Sequence, residues 1–241
     1  MNHPKQLHLD VKLDESITLD NFLSCSSTEL VLKASNNFIS NHSSFRTLYL
    51  WGKEGVGKNY LLNATNRKCK ESKLSSTFLS FSSNTFEDKS LLEGLEELDV
   101  VFIEGLERYP KGEDWEVALF NLINAGSSKG LRMFFSSNQV AKDLSIQLPD
   151  LKSRLIAFPA FELPEITEKE KISALEQSAK RKGLIFEEKV LTYILNHTSR
   201  SLTDLLKLMF ELDTFSLEKK RKISISLVKE LLSDKADNLN T

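Results

Sequence analysis

The clearest chemistry in the chain lies in one run, Gly52-Lys53-Glu54-Gly55-Val56-Gly57-Lys58-Asn59, placed directly after the apolar segment Leu48-Tyr49-Leu50-Trp51. Its spacing fits a phosphate-binding loop at every position but the last. Glycines let successive backbone N–H groups turn toward one anion, so Gly52, Gly55, Val56 and Gly57 form the expected cradle. Lys58 is the compact positive charge that would reach the β- and γ-phosphates. The helix opening at Asn59-Tyr60-Leu61-Leu62 adds its positive end at the same point. The last position ordinarily carries a Ser or Thr hydroxyl that binds magnesium, and here it is Asn59. A glycine-rich turn with a chance lysine would explain the run alone, but not the strand before it together with the helix after it. A phosphate cradle is expected; hydrolysis is a separate matter.

Such a loop needs a sheet to hold it. Apolar patterning predicts strands over 46–51, 77–81, 99–104, 132–138 and 160–163, with helices over 58–71, 88–96 and 113–125 between them. A further helix is expected to start near Ser27 or Thr28. Asp99-Val100-Val101-Phe102-Ile103-Glu104 is continuously apolar, as a strand buried on both faces should be. Strands alternating with helices imply a parallel sheet covered on both sides, whose ligand chemistry gathers at the carboxyl ends of the strands. Gly52, Glu104 and Asn138 all fall at such ends. Beyond Pro164 the pattern changes to four helices, roughly 167–182, 187–197, 201–216 and 224–233. The expected layout is an α/β body over 18–165 and a small all-helical domain over 166–241.

Composition excludes several classes. The chain has 241 residues, 40% apolar and 27% charged, as expected for a globular α/β domain with a small appendage. A net charge of −2 leaves no general excess of cations for nucleic acid or an anionic membrane. Cys25 and Cys69 are too few for a disulfide framework or a zinc site, and the histidines are scattered. No apolar run approaches the ~20 residues of a membrane span, and the first residues lack a secretory h-region. A cytoplasmic protein is expected. Residues 1–17 stand apart: Leu7, Leu9, Val11 and Leu13 alternate with polar neighbours, as in a short extended segment. It either packs on its own domain or docks in another protein's apolar groove. The basic run Lys219-Lys220-Arg221-Lys222 reads as a solvated turn or, less readily, as a binding patch.

Together these stretches resemble the AAA+ ATPases, and within them the DnaA branch and its Hda group, regulators that inactivate the initiator. The likeness runs from about Gln6 to Leu232. Leu50 to Lys58 is similar to the family's Walker A region, and Thr18-Leu19-Asp20-Asn21-Phe22 to the segment beside the adenine pocket, which brings in Phe22. Gln6-Leu7-His8-Leu9-Asp10-Val11 resembles the sliding-clamp-binding motif, implying partner contacts by Gln6, Leu7, Leu9 and Val11. Leu148-Pro149-Asp150-Leu151-Lys152-Ser153-Arg154-Leu155 looks like the arginine-finger segment and gives Arg154 that role. The stretches 113–122 and 223–232 resemble the helix after Walker B and the closing lid helix. The resemblance implies that Asn138 is the sensor near the γ-phosphate, although a strand-end cap would also account for it. DnaA carries a further DNA-reading domain past the lid, so no sequence-specific DNA reading is expected here.

The departures shape the function. Glu104 stands where Walker B usually has Asp, Gly105 follows with no side chain to orient water, and Asn59 replaces a hydroxyl. Asn59 and Glu104 are the positions a magnesium ion would use, and both changes argue against metal binding and intrinsic hydrolysis. The lid's sensor arginine aligns with Thr203, with Arg200 one turn earlier. The resemblance implies a negative regulator that sits on the sliding clamp, carries ADP or ATP as a structural ligand, and lends Arg154 to ATP bound by DnaA. Assembly with further copies of itself is open. The rivals are a stand-alone ATPase that loads or remodels a replication protein, and an interaction module without nucleotide.

Overall fold

A computed structural model describes residues 17–22, 24–40, 45–81, 89–181, 183–198 and 202–239. Five strands, β1 (Thr47–Trp51), β2 (Ser76–Ser80), β3 (Val100–Glu104), β4 (Arg132–Ser137) and β5 (Ala160–Glu162), form one sheet in the order β2-β3-β4-β1-β5. All neighbouring pairs are parallel, with Leu48 opposite Phe134 and Phe78 opposite Phe102. The helices are α1 (Glu29–Ile39), α2 (Lys58–Glu71), α3 (Glu113–Lys129), α4 (Pro149–Ile156), α5 (Glu168–Arg181), α6 (Glu188–His197), α7 (Leu202–Lys219) and α8 (Ile225–Leu239).

Strand side chains alternate between two cores. Leu48, Leu50, Val100, Phe102 and Phe134 face α1 and α2, while Tyr49, Val101, Ile103, Met133 and Phe135 face α3 and α4. The first core continues into the carboxy-terminal helices through Leu175, Val190, Ile194 and Leu212. Phe38 packs on both Phe102 and Phe134, closing α1 over the sheet. The buried Arg132 guanidinium donates to Ile39 O at 2.6 Å and satisfies the end of α1.

Several expectations need correction, among them the end of α8, which runs six residues past 233 to Leu239. The helix expected over 88–96 is two short 3-10 turns, 89–92 and 95–97, because Gly94 between them takes φ 78°. Helix α3 runs four residues past its expected end and stops where Gly130 adopts φ 83°. Helix α4 was not anticipated, although Pro149 at its first turn and the buried pair Leu151 and Leu155 are ordinary helix signals. In the basic turn after α7, Lys219 and Arg221 both pair with Glu230 of α8, at 3.1 and 2.7 Å, so half of that run is engaged within the chain. Among the described residues no helix is long and apolar enough to cross a membrane.

Candidate functional site

The glycine-rich loop sits where β1 ends. Gly52 N donates to Ser137 O at 3.3 Å, and Leu163 N donates to Trp51 O at 2.7 Å, so both neighbouring strands hold the loop's root. A Cβ on Gly52 would lie 2.3 Å from Leu163 O, and only glycine fits that close approach. Gly55 and Gly57 have φ of 81° and 107°, left-handed values that turn the backbone toward the start of α2. Val56 lies between them, half-buried, against Gly52. Lys58 curls under the loop, its Nζ donating to Gly52 O at 2.6 Å and Lys53 O at 2.7 Å. Burial pulls the Lys58 pKa below the ordinary lysine value, opposed by Glu107, Glu104 and Glu54. Glycine torsions, a helix start and a half-buried ammonium fit the diphosphate of a nucleotide.

The magnesium positions fit less well. Asn59 is exposed, and its side-chain oxygen accepts from the Asn63 amide one turn on. Glu104, at the end of β3, accepts from the Ser80 hydroxyl of β2. Gly105 follows with φ 75° and begins a 3-10 turn over Leu106–Arg108. Among the described residues no group of three or more His, Cys, Asp or Glu is placed to hold a metal. As they lie, Asn59 and Glu104 are each hydrogen-bonded within the chain, and Gly105 adds no ligand.

That 3-10 turn brings in two residues the sequence reading missed. Glu107 Oε2 accepts the Asn138 N–H at 3.0 Å, tying β3's exit to β4's exit, and it leads the carboxylates acting on Lys58. Arg108 reaches the loop itself, Nη2 lying 3.2 Å from Glu54 Oε1. The signal was Gly105: a glycine in left-handed geometry turns the next residues back over the strand ends.

Phe22 is 1% exposed, its ring against Tyr60 of α2 at 5.6 Å, while the Tyr60 hydroxyl bonds to the backbone of Thr18. It is a core residue that backs the wall of the site and offers no open ring face. Arg154 lies on α4, in the crossover from β4 to β5, and is exposed. Among the described residues it joins no ion pair. Gln6, Leu7, Leu9, Val11 and Arg200 lie outside the described residues.

A parallel sheet in this order, with a phosphate-type loop after β1 and a helical group following β5, defines a P-loop protein of the AAA+ class. Residues 13–158, well over half the chain, match the family model for the bacterial DnaA ATPase domain, and residues 168–232 match the Hda lid domain. The chain belongs to the DnaA family of AAA+ replication proteins, with an Hda-type lid. Similar solved structures include domain III of the Thermotoga maritima replication initiation protein DnaA, 16% identical with a TM-score of 0.69, covering 92% of this chain and 97% of that one. A replication initiator DnaA bound to AMPPCP and single-stranded DNA is 18% identical, TM-score 0.67, covering 86% and 69%. AMPPCP-bound DnaA from Aquifex aeolicus is 18% identical, TM-score 0.67, covering 83% and 65%. At these identities the structures establish the fold.

Proposed function

We propose that this chain is a negative regulator of replication initiation that offers Arg154 in trans to ATP held by DnaA. The observation carrying this reading is the guanidinium itself: exposed, on a helix, and without an ion-pair partner among the described residues. A positive charge delivered from a neighbour stabilises charge on a transferring phosphoryl group, worth ~10³–10⁵ in rate in known GTPase cases. The chain's own loop supports a nucleotide but not its cleavage, since Asn59 is engaged by Asn63 and Gly105 offers no side chain.

In this scheme residues 1–17 are the clamp-binding segment, with Gln6, Leu7, Leu9 and Val11 in contact. Residues 18–165 are the nucleotide-binding body and 166–241 the lid. Gly52, Gly55, Val56, Gly57 and Lys58 hold the phosphates of ADP or ATP, Asn138 senses the outer phosphate, and Arg200 reaches in from the lid. The AMPPCP carried by the DnaA relatives supports an adenine nucleotide. Bound there, it would supply contacts and charge that fix body against lid.

The test mixes this protein, clamp-loaded DNA and DnaA-ATP. Hydrolysis is stimulated by the unmodified chain and not by Arg154→Ala; equal stimulation by both removes the finger role. The rival reading is a stand-alone ATPase that loads or remodels a replication protein. Turnover by the isolated chain that disappears in Lys58→Ala would establish it instead.

A further inference from the structure

Not all the charges around the loop are of the sign a polyphosphate favours. Three carboxylates, Glu54, Glu104 and Glu107, share the neighbourhood of Lys58 with Arg108 as the second cation. A divalent ion would ordinarily relieve the repulsion between phosphates and such carboxylates. Here the positions that would hold it are otherwise engaged or lack a side chain.

Arg108 has the reach and the chemistry to fill that gap. It projects from the 3-10 turn after β3 to the rim of the loop, 3.2 Å from Glu54 Oε1, with its Nε 3.7 Å from Glu107 Oε1. Its side chain remains 44% exposed in that pairing, and Glu54 is 80% exposed, so the ion pair is a weak one that a phosphate can displace. Guanidinium presents a planar fork of donors that matches two phosphate oxygens, and it never deprotonates. Its proximity is already felt by Lys58, whose ammonium it disfavours. Glu107, its other neighbour, is anchored by the Asn138 N–H and keeps the turn in register with the sheet.

We propose that Arg108 is a second phosphate-binding cation that does at this site what a magnesium ion does elsewhere, so that nucleotide binds without metal. The inference rests on the nucleotide reading above. On binding, the guanidinium leaves Glu54 for the phosphates, and Glu54 is the brake on that exchange.

Calorimetric titration with ADP at constant ionic strength, with EDTA or with magnesium chloride, tests it. The unmodified chain is expected to bind ADP equally under both conditions, within a factor of about three. Arg108→Ala should weaken binding roughly ten- to a hundredfold, the worth of a charged hydrogen-bonded contact. Glu54→Gln should tighten it, and by less when Arg108 is already Ala. Binding by Arg108→Ala at full affinity, or a tenfold loss on removing magnesium from the unmodified chain, overturns the inference while leaving the nucleotide reading intact. If the unmodified chain gives no heat with ADP, the nucleotide reading falls and this inference with it.

Discussion

The Glu116 carboxylate on α3 accepts the backbone N–H of Leu148 at 2.6 Å, immediately before the first turn of α4. The same group, 3% exposed, takes the Gln147 N–H and the Tyr109 hydroxyl, whose oxygen also lies 3.1 Å from Ser145 O. Two side chains thus hold the approach to the helix that carries Arg154, and Tyr109 is the residue directly after Arg108.

Replacing Glu116 with Gln puts an amide donor among donors. Leaving buried N–H groups without acceptors is expected to cost roughly 1–3 kcal/mol, read from urea midpoints at neutral pH. Burial alone would raise the Glu116 pKa, but the bonds from Tyr109, Gln147 and Leu148 outweigh it and hold it below the ordinary 4.5. A carboxylate depressed in the native state adds stability that is complete above its unfolded pKa and drains as pH falls through the native one. The gap between the unmodified chain and Glu116→Gln should therefore close below about pH 4.5. A gap that persists unchanged at pH 3 would contradict this.

Gly52→Ala forces a Cβ against a backbone carbonyl that is itself fixed between β1 and the chain leaving β5. Overpacking of this kind costs roughly 1–3 kcal/mol. A lower melting temperature, together with loss of ADP binding, is the expected pair of results. Gly55→Ala meets no atom within 4 Å and is strained only through its φ, so it should cost less stability.

Ser136 carries a buried hydroxyl with no hydrogen-bond partner among the described residues, 1% exposed in β4. Removing an unpaired polar group relieves its desolvation cost. Ser136→Ala should unfold at an equal or higher urea concentration, gaining up to about 1 kcal/mol. A clear loss would mean that the hydroxyl has a partner in solution.

Arg154→Ala should leave folding alone. The side chain is exposed and joins no ion pair among the described residues, so its melting curve should match the unmodified chain within about 0.5 kcal/mol. Stimulation of DnaA-bound ATP hydrolysis, measured beside it, should be lost. Unfolding of the variant would assign the residue a structural role.

Much of the fold was legible because buried parallel strands write themselves as apolar runs, and because the loop at Gly52 can only follow one of them. Helix α2 begins and ends where its pattern places it. Periodicity failed where elements are short. An eight-residue helix such as α4 shows two buried positions, too few to stand out from a loop. The acidic and basic pair Glu107 and Arg108 was missed for another reason. Their place in the site comes from the φ of Gly105, and a sequence shows that glycine only as a position without a side chain.

The position of β1 between β4 and β5 has a consequence for how the molecule is made. Thr47 must wait for Met133, and Tyr49 for Ala160, before either has its hydrogen-bonded neighbour. At about 5–20 residues per second on the ribosome, that delay lasts many seconds. Throughout it both backbone edges of Leu48, Tyr49 and Leu50 lack the strands that later flank them. Slow codons between positions 52 and 132 would prolong that exposure and drive more of the newborn chain into the insoluble fraction.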